Sequence, residues 1–321
     1  MKNALKFLLS SQLKRSRLKK QIGGFTLIEL LVALILAFLV ITPLLGFMIS
    51  TLNTDRQEQA KANSEQEIQA ALDYITRDLQ QAVYIYNDTG IAAIADTDAT
   101  KSQLPPPDST RVPVLVFWKR DFINQGLPIT TTDKDDSFVY SLVAYYLIKD
   151  TNSTWSNAAR IARWEISDGI QDSDSTTGSC NEYPKEKYVS DHCPSPGFQR
   201  FNLDGSGNLE SKMNSWKKAS AGYTNVPLVL VDFIDQTTTG APTATACATG
   251  SSKVPPSSLD ALKMTSFYAC VDTVNTTAQV FLRGNALARL QNNNLDYTDS
   301  KKVYFPSQSI RVQGHGYLFT K

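Results

Sequence analysis

The feature that most constrains this chain is an apolar run from Phe25 to Ile49 that holds one charge, Glu29, and follows a leader without an acidic residue. The leader carries Lys2, Lys6, Lys14, Arg15, Arg17, Lys19 and Lys20. About 20 apolar residues suffice to span a bilayer, and backbone in lipid must satisfy its own hydrogen bonds, so residues 25–49 are expected to form a membrane-spanning helix. Positive charge stays cytoplasmic, which places the N-terminus inside and the remainder outside. A carboxylate in such a run costs about 2.5 kcal/mol or more unless partnered, which marks Glu29 as functional by default. An ordinary secretory signal has an apolar core of about 7–15 residues that ends at small residues. Here the run is longer, and the Gly24–Phe25 junction precedes it.

The formal net charge of +1 hides an asymmetry. Without the seven basic residues of the leader, 25 basic residues face 31 acids, a net charge of −6. A mildly acidic exported part has no basic face suited to nucleic acid.

Past the apolar run, Ile68, Ala71, Leu72, Ile75, Leu79, Ala82, Val83 and Tyr86 recur at helical spacing. Arg56, Glu58, Lys61, Glu65, Glu67, Asp73, Arg77 and Asp78 occupy the other face. The pattern predicts one amphipathic helix that continues to Tyr86, about 90 Å from Phe25, with a kink or local melting near Pro43 and Gly46. Its stripe needs a surface to cover it. Candidate strands supply one: Val112–Lys119, Phe138–Lys149, Ala158–Ile166, Leu228–Ile234, Ser266–Asp272, Ala278–Arg283 and Ser309–Leu318, rich in Val, Ile, Tyr and Phe and bounded by turn residues. Phe138–Lys149 and Ala158–Ile166 read as a hairpin. The fold class is therefore α+β: a long N-terminal helix, membrane-embedded in its first half, packed on an antiparallel β-sheet head. The expected division is a leader at 1–24, a transmembrane half at 25–49, an amphipathic half at 50–87 and a β-rich head at 88–321. Long irregular stretches at 88–110, 167–226 and 236–263 interrupt the sheet and are where partner specificity would reside.

In an exported head, Cys180, Cys193, Cys247 and Cys270 meet oxidising conditions. Four cysteines allow three pairings. Cys180–Cys193 with Cys247–Cys270 closes the shortest loops and is expected, with free buried thiols as the competing reading. The cysteine spacing argues against zinc. Asn202, Asp204, Ser206, Asn208 and Glu210 surround Gly205 and Gly207 like a calcium loop, but the twelfth position, where a carboxylate is needed, is Met213. A glycine-rich turn is the stronger reading, and no metal is assigned. His192 and His315 lie far apart and outside any nucleophile or zinc motif. Asn87, Asn152 and Asn275 open Asn-x-Thr triplets, which chance supplies freely in a Thr-rich chain. Tyr145, Tyr146 and Trp164 read as core rather than a sugar platform.

The run Gly23-Gly24-Phe25-Thr26-Leu27-Ile28-Glu29-Leu30 resembles the class III signal of type IV prepilins and of the pseudopilins of type II secretion. That resemblance implies a cut between Gly24 and Phe25 by a prepilin peptidase and methylation of the new amine on Phe25. It gives Glu29 an assembly role, in which its carboxylate neutralises the N-terminal amine of a neighbouring subunit. Two opposite charges in a low-dielectric setting each lower the other's burial cost. The implied partners are the peptidase, other major and minor pilins or pseudopilins, an inner-membrane assembly platform and membrane lipid. The implied location is the inner (cytoplasmic) membrane in a single pass, with the head exported, then a pilus or pseudopilus in the periplasm or at the cell surface. Two details depart from the common pattern: the leader is long, and Pro43 sits nearer the cut than the usual helix proline.

Asp73–Ala82, with its Arg77-Asp78-Leu79, and the segment Arg160–Glu165 resemble the J-type pseudopilin and PilW-like minor pilin group. The size of the head is also similar to pseudopilins of hormogonium polysaccharide secretion. The expected function is structural, with no catalytic residues and no cofactor: a subunit that primes, caps or joins a filament used for motility, adhesion or secretion. The alternative is a signal-anchored extracytoplasmic enzyme or adhesin that never enters a filament.

Overall fold

The computed structural model describes residues 24–130, 132–174, 179–204, 206–316 and 318. The leader up to Gly23, Gly205 of the calcium-like turn and Tyr317 of the last expected strand lie outside the described residues. The chain separates into one unit ending at Asp55 and a second from Arg56 onward.

Helix α1 spans Leu27–Gln80. Its residues in the first unit are apolar on every side and exposed, among them Leu27, Leu34, Phe38, Leu45 and Phe47. A helix apolar all round belongs in lipid or a protein interior. The helix assignment continues through Pro43 and Gly46, so the expected melting does not occur. Proline removes one backbone donor, and here that loss does not end the helix.

In the second unit α1 buries Ala60, Ser64, Ile68, Ala71, Leu72, Ile75, Asp78 and Leu79, at steps of three and four. The helix stops at Gln80, six residues before the end its periodicity suggests. Gln81 donates its backbone N–H to Asp78 O at 3.2 Å, and strand β1 (Ala82–Ile85) begins at once. The run Ala-Val-Tyr-Ile-Tyr favours extended backbone, and all four β1 residues are buried, so no alternation betrays the strand.

A five-stranded antiparallel sheet follows the order β1, β2 (Arg111–Pro128), β3 (Lys134–Ile148), β4 (Ala159–Ser167), β5 (Leu228–Ile234). The expected hairpin is β3–β4, in register from Ser141↔Ser167 to Ile148↔Arg160. A second sheet follows the order β6 (Ser252–Val254), β7 (Phe267–Asp272), β8 (Thr277–Arg283), β9 (Ser307–Gln313). Helix stripe and both sheets share one core, in which Ile68, Ile75 and Leu79 join Phe117, Tyr145, Trp164 and Val280.

The two sheets are stitched at both ends. Asp235 N–H donates to Arg283 O at 3.1 Å, and Asn285 N–H donates to Phe233 O at 2.7 Å. At the other end, His315 N–H reaches Gln80 O at 3.0 Å and Gly316 N–H reaches Ala82 O at 3.2 Å. Glycine is required there, because a Cβ on Gly314 would collide with Ala82 O and one on Gly316 with the Val83 side chain.

Described residues of the stretch 167–226 pack against the sheet. Phe198, Phe201 and Trp216 surround Trp118 of β2 at centroid distances of 5.9, 5.0 and 5.5 Å. Cys180 is bonded to Cys193 in this stretch, and Cys247 to Cys270 of β7. Helices α2 (Asp88–Ile94) and α3 (Leu209–Asn214) lie in the irregular stretches and are capped by Asn87 and Asn208.

Candidate functional site

Two places on α1 bring chemistry together, and each is built from residues of its own unit. At the start of the helix, Gly24, Phe25 and Thr26 precede the first helical residue. Thr26 is the N-cap. Its hydroxyl accepts from Glu29 N–H at 3.3 Å, and the Glu29 carboxylate accepts from Thr26 N–H at 3.4 Å. This reciprocal pair is a capping box, which satisfies donors that the first turn leaves open. The carboxylate also accepts from the Thr26 hydroxyl at 3.4 Å. Among the described residues it meets no cation. A Cβ built on Gly24 meets nothing within 4 Å, so no described residue requires a glycine there. Phe25 is 82% exposed.

At the last turn of α1, Asp78 is buried among three strands. Its carboxylate accepts from Arg163 Nε of β4 at 2.6 Å, from the Tyr145 hydroxyl of β3 at 2.6 Å and from Lys119 Nζ of β2 at 3.4 Å. Lys119 also pairs with Asp121 at 2.8 Å and Glu165 at 2.9 Å, and Arg163 with Glu165 at 2.6 Å. Burial pushes the Asp78 and Glu165 carboxyls up, but the hydrogen bonds and charges of Arg163 and Lys119 outweigh it and hold both below the usual carboxylate range. Asp78, expected on the polar face, lies instead on the buried side of the helix. Asp78 stands three residues past Ile75 and seven past Ala71, on the buried stripe, and that spacing was the signal. The network borders a cleft of about 800 Å³. Of the carboxylates that line it, Asp121, Glu165 and Asp168 are each tied to a cation, and Asp191 is the fourth.

The calcium-like residues are dispersed into local roles. Asn202 Oδ1 accepts from Asp204 N–H at 2.8 Å, and Asn208 Oδ1 accepts from Ser211 N–H at 2.8 Å as the α3 cap. The Glu210 carboxylate accepts from Asn87 Nδ2 at 2.7 Å. His192 lies beside Cys193 at the rim of the cleft, and His315 contributes its backbone to the seam with α1. Among the described residues no three His, Cys, Asp or Glu side chains gather as a metal site.

The family model for the prokaryotic N-terminal methylation motif matches residues 19–45. No curated protein and no solved structure matches the chain. The motif is that of type IV pilin-like proteins, whose members are typically structural, and it implies processing by prepilin peptidase and assembly with other pilins. The matched segment contains both the capping box and the first turns of a helix long and apolar enough to cross a membrane. Helix and motif together mark an N-terminal membrane anchor on an α+β, pilin-like architecture.

Proposed function

We propose that this chain is a minor pilin or pseudopilin, made as a membrane-anchored precursor and cut between Gly24 and Phe25. Phe25 is then N-methylated, and the subunit enters a filament in which Glu29 neutralises the N-terminal amine of a neighbour. Its work is mechanical: it primes, caps or joins a type IV pilus or a type II secretion-like pseudopilus, with the packed irregular stretches of the head facing partners. The observation that carries this reading is the surface of α1 from Leu27 to Ile49, apolar on all sides and exposed, with one carboxylate that meets no cation among the described residues. Such a helix needs an apolar medium, and such a charge needs a cation that arrives with another molecule. The glycine at position 24 supports the peptidase step, since a close-fitting enzyme supplies a reason for it that the described residues do not. Arg77-Asp78-Leu79, with Asp78 tying the helix to three strands, supports a place among the J-type and PilW-like subunits. The size of the head favours a low-copy position, since thousands of stacked copies need a compact head.

N-terminal mass spectrometry of the protein from membranes, with and without prepilin peptidase, tests this. The expected result is a peptidase-dependent terminus at Phe25 that is one methyl group heavier. An intact leader in both samples, or a cut beyond Ile49, overturns the reading in favour of an anchored enzyme or adhesin.

A further inference from the structure

Three Asn-x-Thr triplets occur in the chain, and the fold treats them differently. Asn87 is the cap of α2: its Oδ1 accepts from Gly90 N–H at 2.8 Å and its Nδ2 donates to Glu210 at 2.7 Å. Asn275 donates its Nδ2 to Asp272 at 2.7 Å, and Thr277, which completes that triplet, is buried. Asn152 lies on the connection between β3 and β4, where residues 151–155 are all exposed. Its Oδ1 accepts from Thr154 N–H at 2.8 Å, which holds the triplet in a turn. Its Nδ2 has no partner among the described residues. Two residues ahead, Asp150 is engaged within the fold: one carboxylate oxygen accepts from Arg160 at 2.6 Å and the other is buried.

From this contrast we infer that Asn152 is an acceptor site for N-linked glycan, with a lipid-pyrophosphate-linked oligosaccharide as donor. An Asn-x-Thr triplet on an exposed loop of an exported chain is the substrate class for such transfer. The Asn152 amide nitrogen attacks the anomeric carbon. The bond from that carbon to the pyrophosphate oxygen breaks with its electron pair left on the phosphate, and the amide gives one proton to the base of the transferase. Asn152, Ser153 and Thr154 belong to none of the core clusters, so a glycan here displaces no packing. In the cell the modification rests on the exported placement of the head proposed above.

The test uses purified full-length protein in detergent, where export plays no part, so its outcome and that of the pilin reading are separable. The protein is incubated with a bacterial oligosaccharyltransferase and a lipid-pyrophosphate-linked oligosaccharide, then digested with trypsin. Cleavage after Lys149 and Arg160 releases residues 150–160 as one peptide. That peptide should gain the mass of one glycan. The gain should vanish in Asn152→Gln and persist in Thr154→Ser. An unshifted 150–160 peptide overturns the proposal, as does transfer to Asn87 or Asn275.

Discussion

Glu29 and Asp78 sit on the same helix, and their surroundings differ in kind. Around Glu29 every large side chain from Phe25 to Ile49 is exposed, and the carboxylate meets only Thr26 in its own turn. Around Asp78 the helix buries its stripe, and the carboxylate is shared by a lysine, an arginine and a tyrosine from three different strands. A charge whose partners are all supplied by its own chain is an internal fastening. One that finds a neutral cap but no cation among the described residues is open to a partner from outside the chain, the role proposed above for Glu29. The cost of burying a charge is the same physics in both places, and the identity of the compensating group separates structure from function.

The comparison breaks first at Asp78. Asp78→Ala should lower the stability of the full-length protein in detergent by about 3–5 kcal/mol, since Arg163 and Lys119 lose a shared buried partner. Glu29→Ala, which removes half of a helix cap, should lower that stability by about 1 kcal/mol or less, yet leave the protein inserted, cleaved and excluded from filaments. Equal midpoint shifts, or normal incorporation of Glu29→Ala, would sink the distinction.

The next effect sharpens the picture of the head alone. Replacing both Cys247 and Cys270 by serine should cost about 3 kcal/mol. Replacing Cys180 and Cys193 should cost about 0.5 kcal/mol less, because 13 rather than 23 residues separate the pair. Urea melts of the two double variants would rank them.

The smallest effect is a pH dependence. Asp78 and Glu165 are held below their ordinary values, so their contribution is present above about pH 4, where the unfolded carboxyls ionise, and is lost as pH falls through the folded values. Asp168 shifts the opposite way, because burial outweighs the pull of Arg200, and offsets part of that loss. Midpoints measured below pH 4 should fall with acidification, and Asp78→Asn should flatten the fall. A parent slope unchanged by that substitution would remove Asp78 from the account.

Much of this was legible in the sequence because it rests on periodicity. The stripe from Ile68 to Leu79 and the β-branched and aromatic runs of β3, β4, β5, β7 and β8 announce themselves. The signal failed where burial is complete or elements are short. Strand β1 reads as more helix because Ala82, Val83 and Tyr86 continue the helical spacing and no residue in it is polar. Strand β6, of three residues, is too short to show a period. Within 167–226, Phe198, Phe201 and Trp216 are placed by contacts distant in sequence, around Trp118, which no local pattern encodes. The motif at Gly24–Glu29 was plain in the sequence as a string of residue types. Its capping box could have been read from the spacing of Thr26 and Glu29, whereas the exposure of Asn152 and the capture of Asn87 and Asn275 needed the fold.

One residue, Gln81, separates the end of α1 from the start of β1. The joint therefore has no slack. Tension arriving along the last turns of the helix enters the sheet without a flexible coupling to absorb it. If the backbone were the sole connection, β1 would take the whole load and peel from β2 one hydrogen bond at a time. Asp78 gives the force a second route, since its bonds to Lys119, Tyr145 and Arg163 divide the pull among β2, β3 and β4. These contacts act like the strain relief on a cable, and they make the head resist being drawn by its stem as one body rather than unravelling from its first strand.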